Sequence, residues 1–130
     1  ISMINSGLQV GFSNQLVPDL TSNRCLAVNG SVGATSFYND SLRSLKKNIQ
    51  PFTKSGLELV KTLNIVTFDY KDEKSPDNII GVIADDTREE FLSEEKDAVD
   101  LNKTVFVQAK AIQELEARLA QLENIIKELI

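Results

Sequence analysis

From Leu101 to Ile130 the chain contains no glycine and no proline, and apolar residues recur at alternating spacings of four and three. Leu101, Val105, Gln108, Ile112, Leu115, Leu119, Leu122, Ile126 and Leu129 fall on one heptad seam. Val105, Ile112, Leu119 and Ile126 take the a positions and the others take d. The spacing predicts a helix over 101–130, and an apolar stripe of that length has to be covered. Partner helices from other copies would cover it; packing against the chain's own domain is the alternative. Gln108, the one polar residue in the seam, reads as a register-setter that weakens the coil. Glu114 with Arg118, and Glu123 with Lys127, are i,i+4 pairs in the favourable order. Two signals disagree over the number of strands. β-Branched residues at a with leucine at d favour two in parallel coils. Arg118 at g, Leu119 and Leu122 in the core and Glu123 at the following e resemble a pattern associated with three.

Charge supplies the second constraint. Up to residue 40 only Asp19, Arg24 and Asp40 are charged, and every other charged residue lies beyond. Residues 1–40 read as short strands joined by turns: Leu8-Gln9-Val10 and Cys25-Leu26-Ala27-Val28 are strand-like, and Asn29-Gly30 is a tight-turn signal. This stretch is too poor in large apolar residues for a core of its own, so it needs strands from elsewhere. A flexible linker is the alternative, against which stands its alternating Val, Leu and Phe content. The start on Ile1 suggests a piece of a longer protein.

Beyond the border, Arg43, Lys46, Lys47, Lys54 and Lys61 face a single acid, Glu58. Ser55 and Glu58 fit a capping box, and Leu57, Val60 and Leu63 mark one face of the short helix that follows. Ile65 to Tyr70 is predicted as a strand, 71–78 as a polar loop, Asn78 to Ala84 as a second strand, and Thr87 to Leu92 as a short helix entered through Asp85 and Asp86. The expected fold is α+β: an antiparallel strand pair with helices packed on it, followed by the long C-terminal helix and preceded by the β-rich end.

Composition narrows the function. The net charge is −5 without a basic stripe, which argues against nucleic acid and anionic membranes as partners. No apolar run approaches the ~18 residues that span a bilayer, and the N-terminal sequence lacks a basic segment followed by an apolar one, so no secretion signal is expected. Cys25 is the only cysteine, excluding an internal disulfide and any CxxC site. The acidic residues between Asp85 and Asp100 do not follow the calcium-loop spacing, so they read as a solvated face and helix-terminal charges rather than a metal site. No cofactor and no small-molecule substrate are expected. The chain has no histidine, which removes Ser-His-Asp, Cys-His and His-zinc chemistry. A nucleophile would have to use a lysine or an N-terminal amine as its base. Ser41 and Lys46 stand five residues apart at the charge border. Such pairs are common by chance, so spacing alone assigns them nothing.

Four motifs in order give the pair a context. Ser41 is followed by Leu45-Lys46-Lys47-Asn48-Ile49, then by Thr67-Phe68-Asp69-Tyr70-Lys71, by Ile80-Gly81-Val82-Ile83-Ala84, and by Ala111-Ile112-Gln113-Glu114-Leu115 running on to Leu122-Glu123. From about Val28 onward the chain resembles the C-terminal intramolecular chaperone, or auto-processing, domain of phage tailspikes, tail fibres and neck appendages. Within that family it is most similar to the neck appendage proteins of short-tailed Bacillus phages. Two departures stand out. The family has Asp directly after the serine and Arg two before the lysine, where this chain has Leu42 and Ser44. Its Gln-Glu after the "IA" strand is Asp85-Asp86 here.

The resemblance implies a homotrimer, which favours three strands for the heptad helix, with Leu101, Val105, Ile112, Leu115, Leu119, Leu122, Ile126 and Leu129 at the interface. It implies cleavage between Asp40 and Ser41, with Ser41 as nucleophile and Lys46 as general base, dividing a passenger end (1–40) from a chaperone domain (41–130). Such a lysine has to be neutral, its pKa brought from ~10.4 toward roughly 7–8 by burial or a nearby cation such as Arg43, Lys47 or another copy's Lys46. The partners implied are other copies of the chain and its own passenger. The setting implied is the host cytoplasm during assembly, with the mature passenger in the virion. A trimerisation module that does not cut itself is the runner-up, and an acidic coiled-coil adaptor for partner helices is a third reading.

Overall fold

The long helix forms as its sequence dictates. In the computed structural model α2 spans Leu101–Leu129, with Asp100 as its N-cap accepting a hydrogen bond from the Lys103 amide at 3.0 Å. The structure describes residues 2–4, 7–9, 28, 31–71 and 76–130, and the chain divides into two compact units, Ile1–Asn39 and Asp40–Ile130.

In the first unit β1 (Ser2–Ile4) and β2 (Gly7–Gln9) pair antiparallel, with Met3 opposite Leu8. The predicted strand at Leu8–Val10 is therefore observed as Gly7–Gln9. Residues 25–27 of the second predicted strand and the Asn29-Gly30 turn lie outside the described residues, while Val28 is exposed and in no regular element. Residues 31–39 are exposed throughout.

In the second unit α1 (Gly56–Lys61) packs against α2. Strands β3 (Val66–Phe68) and β4 (Ile79–Gly81) form an antiparallel pair with Thr67 opposite Ile80. The fold is α+β. Both strands are shorter than their sequence signals. The Asp69 side chain accepts the Asn78 amide at 2.7 Å just beyond the pair, and Ala84–Asp86 turns into a 3-10 helix.

The helix predicted over Thr87–Leu92 is replaced by two 3-10 turns, Ala84–Asp86 and Glu89–Phe91, with Thr87 and Arg88 extended between them. The Thr87 hydroxyl donates back to the Ile83 carbonyl at 2.7 Å, competing with the backbone hydrogen bond that a continuing helix needs. So short a segment cannot offset the cost of nucleating an α-helix, and the 3-10 turn at Glu89–Phe91 turns Phe91 inward.

The core is small. Phe91 is 1% exposed and packs with Leu59 and Val107, with Val60 and Leu63 partly buried against them. Leu92 and Ala111 are also buried. The Leu57, Val60, Leu63 face expected for α1 holds in part: Val60 and Leu63 pack half-buried against the core, but the fully buried residues of α1 are Gly56 and Leu59, with Leu57 only half-buried. Gly56 explains why the inward face lies there. A Cβ on it would sit 2.6 Å from both the Ala111 amide nitrogen and the Val107 carbonyl oxygen. The start of α1 therefore meets the backbone of α2 directly.

Because those neighbours are backbone atoms of a continuous helix, they cannot move aside cheaply. Gly56→Ala is expected to lose about 1–3 kcal/mol of stability through overpacking, measured as a lower urea midpoint with helix content retained in the folded baseline.

Candidate functional site

The loop at the charge border is built by one tight turn. Leu42 is extended, Arg43–Leu45 forms a 3-10 turn, and Lys46 is extended again. Two backbone bonds close the turn, Leu45 N–H to Leu42 C=O and Lys46 N–H to Arg43 C=O, each 3.0 Å. With extended residues on either side, the turn lets the Ser41 and Lys46 side chains meet across it. Lys46 Nζ donates to Ser41 Oγ at 2.5 Å. Asn48 then takes φ 53°, a left-handed conformation that asparagine tolerates better than most residues, and redirects the chain toward Pro51.

Ser41 Oγ is tied covalently to the residue whose amide closes the Asp40–Ser41 bond. The amine that meets it is within the reach a general base needs. Asp40, Ser41, Lys46 and the neighbouring cations Arg43 and Lys47 are all exposed in the single chain.

The heptad positions share that exposure. Leu101 is 74% exposed and Ile112 67%, and Val105, Leu115, Leu119, Leu122, Ile126 and Leu129 are each at least half exposed. The unit packs instead on another stripe of α2, through Val107, Lys110, Ala111 and Glu114.

Glu114 does not take the i,i+4 pairing with Arg118 that the sequence predicts. Its carboxylate instead holds the N-terminus of α1: Oε2 accepts from the Ser55 hydroxyl at 2.6 Å and the Leu57 amide at 3.1 Å, and Oε1 accepts from the Gly56 amide at 3.0 Å. Ser55 Oγ in turn accepts from the Glu58 amide at 3.1 Å, as an N-cap should. The expected capping box is therefore half realised. Glu58 pairs with Lys61 at 3.6 Å, and the second acid at the cap comes from α2. The Ser55 hydroxyl, more than the two amides, holds the Glu114 carboxyl below the usual carboxylate range. One turn earlier, Lys110 Nζ donates to the Phe52 carbonyl and lies 5.4 Å over the Phe52 ring. A clue to these contacts was in the sequence, because glycine directly after an N-cap serine is a poor helix former and marks close approach.

A groove of about 650 Å³ lies between α2 and the 89–96 segment, lined by Phe52, Glu90, Lys96, Lys103, Phe106 and Lys110 among others. Among the described residues no cluster of His, Cys, Asp or Glu could hold a metal ion, and no helix is long and apolar enough to cross a membrane.

Residues 42–95 match the family model described as chaperone of endosialidase. The family is named as a peptidase, Peptidase_S74, and the match supports the resemblance to a C-terminal chaperone domain. It covers less than half of the chain, includes Lys46 and both strands of the second unit, begins one residue after Ser41 and ends before α2. No curated protein and no solved structure matches the chain.

Glu90 secures the scaffold beside this region. Its side chain, 7% exposed, accepts from Arg88 at 2.8 Å and from Lys54 at 3.0 Å. These bonds, the Arg88 contact foremost, hold its pKa at about 2 against an ordinary 4.5. A depressed carboxylate pKa stabilises the fold fully above the unfolded value, and that contribution is lost as pH falls through the folded one. The stability gap between wild type and Glu90→Gln should therefore be open above about pH 4.5 and narrow as the pH falls toward 2, read from urea unfolding across that range.

Proposed function

We propose that residues 41–130 are an intramolecular chaperone that gathers three chains through the α2 seam, aligns the passenger ends at 1–40, and then releases itself by cutting between Asp40 and Ser41. The hydrogen bond between Lys46 Nζ and Ser41 Oγ carries this reading, and the match of 42–95 to the chaperone of endosialidase family supports it.

In the proposed reaction, neutral Lys46 takes the Ser41 hydroxyl proton and Oγ attacks the Asp40 carbonyl carbon. Backbone N–H groups hold the developing oxyanion. The C–N bond breaks, the Ser41 nitrogen takes a proton, and the Asp40 acyl group is left as an ester on Oγ. Water then hydrolyses the ester, regenerating the serine hydroxyl and leaving Asp40 with a new carboxylate. The enzyme acts once, on itself.

A lysine acts as a base only without its proton, and in the single chain the Ser41–Lys46 pair is exposed. Withdrawing the pair from water needs other copies, which links cutting to assembly. Three chains must find register before any contact between them offsets the ordering entropy. A coiled coil raises the local concentration of the passengers and aligns their ends. Removing it afterwards traps the assembled product kinetically. The passenger is read as the end of a phage tail or neck fibre, of the neck appendage kind from short-tailed Bacillus phages. Assembly would take place in the host cytoplasm, with the passenger retained in the virion.

The exposed seam also fits a trimerisation module that never cuts itself, and the family match starts beyond Ser41. Intact mass separates the two readings. The processing domain gives two fragments divided at Asp40–Ser41, whereas a single full-length species defeats self-cleavage. Ser41→Ala and Lys46→Ala are each expected to abolish the split while light scattering still reports three chains, and normal processing in either variant would falsify the dyad. Leu119→Asp is expected to yield single chains that stay uncut; concentration-independent cutting in those monomers would break the link to assembly.

A further inference from the structure

The dyad loop has few attachments to the body that carries it. After Lys46 the chain passes through exposed residues 47–51. Among the described residues, the first hydrogen bond from this stretch to the rest of the unit is made by the Phe52 carbonyl, to Lys110 of α2. Four residues on, Glu114 takes the Ser55 hydroxyl and the Gly56 and Leu57 amides. Between these anchors Gly56 lies against the Val107 and Ala111 backbone with no room for a Cβ. Residues 52–57 are thus fixed at three levels to one face of α2, over 107–114. The same turns carry Ile112 and Leu115 of the exposed seam on another face.

We infer that Lys110 and Glu114 are positioning residues for self-cleavage: they fix the segment that follows the dyad loop to α2, so that the seam and the Ser41–Lys46 pair share one rigid reference. The inference rests on the self-cleavage reading above. Neither residue touches the reacting atoms. Lys110 acts through Phe52, by a hydrogen bond to its carbonyl and a cation over its ring. Glu114 acts through the first turn of α1. With either anchor removed, α2 still forms and still presents its seam, since neither residue is part of that seam. The loop then pivots at Asn48 and Pro51, and Lys46 meets Ser41 less often in attacking geometry. Misplacement on the scale of an ångström costs about 10²-fold in rate.

The test measures the first-order cleavage rate of full-length chains by intact mass, at a temperature where circular dichroism and light scattering show wild type and variant equally helical and equally assembled. Lys110→Met and Glu114→Gln are expected to cut between tenfold and about 10²-fold more slowly than wild type. Lys110→Arg keeps a donor for the Phe52 carbonyl and a cation for its ring, and is expected to recover most of the rate. The pH dependence of the rate should keep its midpoint in all three, because the reacting groups are untouched. A wild-type rate in assembled Lys110→Met and Glu114→Gln overturns the inference, as does failure of Lys110→Arg to rescue. Loss of assembly in both variants overturns it in favour of a structural role alone. A wild-type chain that never cuts refutes the self-cleavage reading itself, an outcome separate from all of these.

Discussion

One carboxylate organises the second unit. Glu114, from the middle of α2, accepts three hydrogen bonds from Ser55, Gly56 and Leu57. The Gly56 and Leu57 amides are donors that a helix N-terminus leaves without intrahelical partners, and the Ser55 hydroxyl adds a third bond. A six-residue helix such as α1 has no independent stability in water. Its existence depends on this cap, on the close seat of Gly56 and on Leu59 reaching the core. The negative group also lies at the positive end of the α1 dipole, where it is favoured. What holds α1 in place therefore belongs to α2, and the small core under Phe91 closes only once the long helix is present.

The long helix divides its surface between two tasks. The stripe through Val107, Lys110, Ala111 and Glu114 belongs to the unit, and the stripe through Leu101, Val105, Ile112 and Leu115 is free. Folding of the unit therefore does not consume the surface that other copies would use. The same separation means that a polar substitution in the seam leaves the small core intact, and a core substitution leaves the seam pattern intact.

Periodicity made much of this legible in advance. The extent of α2, its seam, the Ser55 N-cap and the antiparallel pair of strands all follow from local pattern, because each depends on residues close in sequence. The Ser41–Lys46 contact was legible only as a spacing, and needed a 3-10 turn to become a hydrogen bond. Three features were not legible. Local spacing pairs Glu114 with Arg118, because the i,i+4 rule knows nothing of a second helix. A helix over 87–92 fails because the Thr87 hydroxyl turns back to Ile83, a contact that composition does not announce. Spacing points to Leu57 rather than Leu59, because the inward face of α1 is chosen by contact at Gly56, which lies far from α2 in sequence.

The far half of α2 has one more property. Residues 115–130 are exposed at every position, so their helicity draws only on intrinsic propensity and on continuation from the turns anchored near Glu114. A helical stretch of about that length is marginal in water. In a solitary chain its amides should exchange with solvent quickly, with protection fading along the helix from Glu114 outward. In the assembly proposed above the same amides would become slow, so the tip of the helix would report on the company each chain keeps.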